Sequence, residues 1–312
     1  MKNTNYRIAR IMISVESTYE LKDSGGYALY RLGEQSDLDV PEDNLYKIQL
    51  VEDSEFPAME GHVLFQNEMN LYFENDGEIL HFFRIPLTNR VAAWCETTGE
   101  KSLTIHFKPT ARLYFGDAVG CFNAAAFEYV LYVFRRFLLH CSYVDVGGEA
   151  ALFLAHSGGG KTTHGLLWEK CGLGEMINGD RAAIEMTDIS KCGDGKMTVG
   201  MPIGRSRNTN RKFMVHGLPI AGSSNVFKNR SLPLRALFLL EKAPVNEVIE
   251  IPASRQFIQV FEQVTIHTWD REFIETSVDF VTKLVECVPV RLLRCRPDEG
   301  AVHVVKKALD FK

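Results

Sequence analysis

Apolar and polar residues alternate with a period of two along most of the first 120 positions, and turn signals interrupt the alternation, which predicts a series of short strands. Residues 69–85 show it best, because two aromatic-rich runs flank Asn75-Asp76-Gly77, residue types that accept positive φ in a tight hairpin. Residues 91–107 read as a second hairpin around Thr98-Gly99-Glu100. Short strands joined in this way predict an antiparallel sheet.

From Asn123 the period lengthens. Phe127, Val130, Leu131, Phe134 and Leu138 recur at helical spacing behind an Asn suited to an N-cap, predicting a bridging helix of roughly four to five turns. Two apolar strands follow around Gly147-Gly148, and the second runs into a glycine-rich loop and another helical stretch. Further strands are predicted at 175–177, 182–185, 234–240 and 290–293, with a hairpin around Gly193-Asp194-Gly195. Helices are predicted over about 254–263, 270–286 and 298–309. The fold expected is α/β (α+β overall). A mixed-sheet C-terminal domain over 123–312 is preceded by a smaller antiparallel β-rich domain over 1–122.

Composition narrows the picture. With 312 residues, 46% of them hydrophobic, the chain can bury a core without a metal or disulfide staple. Its 35 basic and 40 acidic residues give a net charge of −5, which argues against a protein that coats nucleic acid or an anionic membrane. Residues 1–140 hold 13 basic and 20 acidic side chains and the remainder 22 and 20, so the C-terminal part tolerates anions better. None of the 7 cysteines forms a C-x-x-C pair, and buried thiols in a reducing cytoplasm are expected. The apolar run near the N-terminus is too short for a signal peptide, and no window reaches a membrane span, so the expected location is cytoplasmic.

The chemistry concentrates in Ala155-His156-Ser157-Gly158-Gly159-Gly160-Lys161-Thr162, which fits the phosphate-loop pattern G-x-x-x-x-G-K-[ST] with Ala155 in place of the first glycine. An apolar strand leads in, a helix over about 162–171 leads out, and Gly172 is placed to stop it. Such a loop wraps main-chain N–H groups around a polyphosphate at the positive end of a helix. His156, Ser157, Gly158, Gly159, Gly160, Lys161, Thr162 and Thr163 are therefore the expected nucleotide contacts. Lys161 would reach the terminal phosphates, and Thr162 would offer its hydroxyl to Mg²⁺. Asp180, after a short apolar strand, is the expected carboxylate for the metal or the acceptor's proton. Gly165, unfavourable inside a helix, is expected to let that helix pack closely on the sheet.

These residues resemble the P-loop kinases of the HPr kinase/phosphorylase type and the related ATP-dependent phosphoenolpyruvate carboxykinases. Ser157, Gly158, Gly160, Lys161 and Thr162 match the loop of that group, the 144–155 hairpin precedes it as there, and His140 stands where a histidine is often found. The segment Met176-Ile177-Asn178-Gly179-Asp180 aligns with an apolar strand ending in two aspartates, Asp180 being the second. The likeness is specific over 140–185 and looser to about 310. It implies a kinase-like domain that uses ATP and Mg²⁺, with Thr162 and Asp180 as metal ligands and Lys161, Asp180 and His140 as catalytic residues.

Gly179 replaces the first aspartate of the pair, so one carboxylate must do both jobs or another residue must supply the base; His140, His156 and Glu185 are the nearest in sequence. The glycine-rich signature that HPr kinase/phosphorylases carry further on is not evident, which argues against a bifunctional enzyme. A basic cluster follows at residues 205–212, in which Arg205 and Arg207 could screen the phosphates or hold an acidic acceptor. The expected function is transfer of the γ-phosphoryl group of Mg-ATP to a hydroxyl of a protein, peptide or small molecule. The alternative is a catalytically degenerate nucleotide-binding regulatory or peptide-recognition protein. The N-terminal half shows no catalytic constellation and is assigned to acceptor recognition or assembly, which admits a homo-oligomer; nucleic acid and membrane are excluded as partners.

Overall fold

The Asp76-Gly77 turn, with φ of 50° and 83°, joins β5 (Asn70–Asn75) to β6 (Glu78–Ile85) in the expected hairpin. The computed structural model describes residues 1–33, 42–187 and 213–310. The expected hairpin around Gly193 and the cluster containing Arg205 and Arg207 lie outside those residues. The chain divides into two units, one of residues 1–134 with 268–270 and the other of 135–267 with 271–312.

The N-terminal unit is built on an eight-stranded sheet. Its other strands are β1 (Lys2–Ile8), β2 (Ile11–Ser17), β3 (Leu45–Glu52), β4 (His62–Gln66), β7 (Arg90–Gly99) and β8 (Ser102–Phe107). They are ordered β1-β2-β3-β8-β7-β6-β5-β4. The sheet is mixed, which corrects the antiparallel expectation: β3 runs parallel to both β2 and β8. The reason is non-local, because the β4–β7 meander leaves from β3 and returns β8 alongside it in the same direction. Short helices α1 (Arg112–Phe115), α2 (Ala118–Ala124) and α3 (Phe127–Val133) complete the unit, α2 capped by Asp117, whose carboxylate accepts from Val119 N–H. Aromatic contacts fill its core, among them Tyr27 stacked on Phe122 at 4.8 Å and Trp269 against Tyr72 at 4.7 Å.

The long bridging helix does not form. Ala126 (φ 48°) separates α2 from α3, and after α3 Arg135 (φ 59°) breaks the run. Residues Arg136–Asp145 then form the strand β9. Nearly all of β9 is buried, and a continuous apolar run of that kind carries no periodicity that separates a buried strand from a buried helix. His140 therefore lies on a strand.

Strands β10 (Ala150–Leu154), β11 (Glu175–Asn178), β12 (Arg181–Met186), β13 (Phe213–Gly217), β14 (Ser231–Lys242), β15 (Glu247–Ile249) and β16 (Val290–Cys295) join β9 in the second sheet. Residues 141–145 of β9 pair with β10, while its first half pairs with β12. β14 pairs in parallel with β10 and β16, so three parallel strands present their C-terminal ends together. Helices α4 (Lys161–Lys170), α5 (Ala253–Phe261), α6 (Arg271–Cys287) and α7 (Glu299–Asp310) flank the sheet.

Period-two residues of β10 and β14, Ala151, Phe153, Ala236 and Phe238, share a core with Trp168 of α4 and Val302, Val305 and Leu309 of α7. Gly165 meets its expectation: a Cβ there would collide with Met176 and Ser142 of the sheet. Gly172 (φ 65°) ends α4, with Leu173 N–H donating to Trp168 O, as in a left-handed C-terminal cap. Each unit is thus mixed or largely β with helices, and the chain as a whole is mixed α/β. Among the described residues no helix is long and apolar enough to cross a membrane.

Candidate functional site

The loop 155–160 runs from the buried end of β10 straight into the first turn of α4. Gly158 and Gly160 adopt φ of 74° and 94°, which side-chain-bearing residues rarely tolerate. Gly159 is required for space, since a Cβ there would lie 2.5 Å from Ala155 Cβ and 2.9 Å from His156 O. Ala155 is not among the positive-φ residues, so this position accepts a methyl group where the motif has glycine. The first N–H groups of α4 have no intrahelical acceptors and give the loop a positive end.

Lys161 folds back into this loop. Its ammonium donates to Ala155 O at 2.7 Å and to His156 O at 3.3 Å, and the residue is only 7% exposed. Burial lowers its pKa, opposed by the fields of Cys141 and Asp180. The cation is thus held among the loop carbonyls and not spread on the surface.

Thr162 turns toward the β11–β12 connection, where its hydroxyl donates to Gly179 O at 3.0 Å. Next along that turn, Asp180 has Oδ1 3.5 Å from His140 Nε2 and Oδ2 3.1 Å from Arg181 Nε. The imidazole of His140 holds the Asp180 carboxyl below its usual range, burial opposes this, and Arg181 adds to the depression. Register explains the meeting, because Arg181 of β12 pairs with His140 of β9. The structure therefore brings together Thr162, Asp180 and His140.

Asn178 organises this turn, and sequence reasoning missed it. Its side-chain oxygen accepts from the N–H groups of Asp180 and Arg181, both at 2.9 Å, and its amide donates to Leu218 O and Ile220 O. It is fully buried. The signal was present as an Asn two residues before the carboxylate, an arrangement in which Asn commonly bonds main chain ahead of it. Gly179 also acquires a reason: a Cβ would come within 2.5 Å of Ser224 Cβ and Oγ, so Ser224 occupies the room that an aspartate side chain would need.

The remaining expected residues separate from this group. His156 is largely exposed, 3.9 Å from Glu262. Glu185 lies along β12 at about 13 Å from Arg181 at ~3.3 Å per residue. Both its oxygens are engaged, by Arg136 at 2.8 Å and by His216 at 3.1 Å, which removes it as a base. Thr163 lies on another face of α4. There, with Gly158, Gly160, His164, Leu167 and Leu240, it lines a cavity of about 590 Å³. Ser157 remains at the exposed crown of the loop.

The hydroxyl of Thr162 and the carboxylate of Asp180 are hard oxygen donors, which suits a magnesium ion. Among the described residues no group of three or more His, Cys, Asp or Glu could cage a metal unaided. Comparison with protein-family models and with curated proteins finds no match.

Proposed function

We propose that this chain is a Mg-ATP-dependent kinase that transfers the γ-phosphoryl group to a hydroxyl of a protein, peptide or small-molecule acceptor, on a P-loop kinase-like C-terminal unit. The observation that carries the reading is the joint placement of the glycine loop with its enclosed Lys161 and of Thr162 bonded to the turn that holds Asp180 beside His140. A glycine turn with a solvated lysine would produce neither contact.

In this reading the loop amides and the Lys161 ammonium neutralise and align the triphosphate, the larger part of catalysis in phosphoryl transfer. Thr162 and Asp180 would hold the magnesium ion, which would draw charge from the phosphates. His140 takes the acceptor's hydroxyl proton as the new oxygen–phosphorus bond forms and the bond to the β-phosphate oxygen breaks, releasing ADP. Asp180 orients the imidazole and stabilises its positive charge. Assigning the proton to His140 answers the absence of a second carboxylate at Gly179.

A second reading, a nucleotide-binding protein without turnover, draws support from Ser224 filling the space beside Gly179. Incubating the full-length protein with γ-labelled ATP, Mg²⁺ and an extract of its own host separates the two. Label transferred to an acceptor, and abolished by Lys161→Ala and by Asp180→Asn, is the result expected. Nucleotide binding without transfer favours the second reading, and absence of nucleotide binding rejects both.

A further inference from the structure

Two separate elements close on the Gly179-Asp180 turn. From α4 the Thr162 hydroxyl reaches Gly179 O at 3.0 Å. From the connection between β13 and β14 comes a short turn, Gly222–Ser224, that lies against the same two residues. Gly222 touches the carboxylate: a Cβ there would stand 2.8 Å from Asp180 Cγ and 2.9 Å from its Oδ1. Ser224 stands against Gly179, its Cβ and Oγ both 2.5 Å from the point a Cβ would occupy. An aspartate's own carboxylate oxygens lie about that far from their Cβ. Ser224 therefore puts a hydroxyl oxygen within the reach that a carboxylate at position 179 would have.

That hydroxyl is fixed in place without being used up. Ser224 Oγ donates to Ala221 O at 2.6 Å and accepts from Val226 N–H at 3.2 Å. A serine oxygen has one hydrogen and two lone pairs, so among the contacts of the described residues one lone pair stays uncommitted. The loop that carries it is anchored to the turn it faces. Asn178 Nδ2 donates to Leu218 O and Ile220 O ahead of Ser224, and Lys228 N–H donates to Ile177 O at 2.9 Å beyond it. Asp180, by contrast, divides its charge between His140 at 3.5 Å and Arg181 at 3.1 Å. A carboxylate shared by two basic groups attracts a further cation less, and a second hard oxygen beside it strengthens a site for a divalent ion.

We infer that Ser224 stands in for the carboxylate that position 179 lacks, its Oγ serving with Thr162 and Asp180 as an oxygen donor toward the magnesium ion of the bound nucleotide. The inference rests on the nucleotide-binding reading above and deepens it by naming a metal-directed residue on a separate loop. The replacement exchanges a charged oxygen for a neutral one, so this site should hold the ion less tightly than a pair of carboxylates would.

Titration calorimetry of the full-length protein with ATP, in chelator and then in excess Mg²⁺, gives the factor by which the ion strengthens binding. Ser224→Ala should cut that factor about tenfold, with the loss confined to the magnesium titration. Ser224→Cys should weaken the response to Mg²⁺ and strengthen the response to Cd²⁺ relative to the unmodified protein, because a thiolate is the softer ligand. A serine with a purely structural role would not trade one ion for the other. Gly179→Asp combined with Ser224→Gly returns the oxygen to position 179 as a carboxylate and should restore the Mg²⁺ factor or raise it. An unchanged factor in Ser224→Ala, an equal loss with and without Mg²⁺, or no Cd²⁺ gain in a folded Ser224→Cys variant overturns the inference and leaves the nucleotide-binding reading intact. Absence of ATP binding by the unmodified protein overturns both.

Discussion

Thr162 Oγ1 donates to the main-chain carbonyl of Gly179 across 3.0 Å, so the first turn of α4 is joined directly to the turn that presents Asp180. Thr162→Ser keeps the hydroxyl and should retain both fold and nucleotide response. Thr162→Val removes it and should cost about 1 kcal/mol of stability from the lost hydrogen bond. In the proposed reaction it should also reduce phosphoryl transfer by far more than that stability change. Thermal unfolding and transfer assays on the same two variants check the pair of effects.

Asn178→Ala should be more damaging than its surface-like sequence context suggests. It removes a buried side chain that accepts from two N–H groups and donates to two carbonyls, stranding those partners. A loss of about 2–4 kcal/mol is expected, read as a lower urea midpoint. Asn178→Asp preserves the acceptor but sets a buried carboxylate oxygen against the Leu218 and Ile220 carbonyls, and should cost at least as much.

Gly179→Ala should destabilise by about 1–3 kcal/mol, because the new methyl group meets Ser224. Combining it with Ser224→Gly opens the occupied space and should recover most of the loss. A double-mutant cycle of melting temperatures measures the coupling directly.

The carboxyl of Asp180 is held below its usual range by His140 first and also by Arg181, against burial. Its ionised form therefore adds stability that is complete above the unfolded value of about 3.9 and is lost as pH falls through the lower folded value. The contribution should disappear only in that acidic window. His140→Ala removes the leading cause and should move the Asp180 titration midpoint upward, followed by carboxyl-carbon NMR.

Much of the site could be read from sequence because its parts are local. The strand into the glycine loop, the Lys-Thr pair and the helix that follows lie within about 20 residues, and each signals itself through composition. The errors came where pairing across the chain decides. Phe134 and Leu138 continue the helical spacing of the preceding residues, yet the apolar run beyond Arg135 is used as a strand paired with β10, β11 and β12. The parallel neighbours of β3 are distant in sequence, so no local pattern marks them. Asn178 reads as an ordinary turn residue until Leu218 and Ile220 are seen to accept its amide, and Gly179 reads as a gap in a motif until Ser224 is seen beside it.

The polypeptide enters the N-terminal unit a second time at residues 268–270, where Trp269 packs on Tyr72, before resuming the other unit at Arg271. Scission after Phe134 would therefore leave the downstream fragment carrying an indole whose aromatic neighbour had gone with the upstream one.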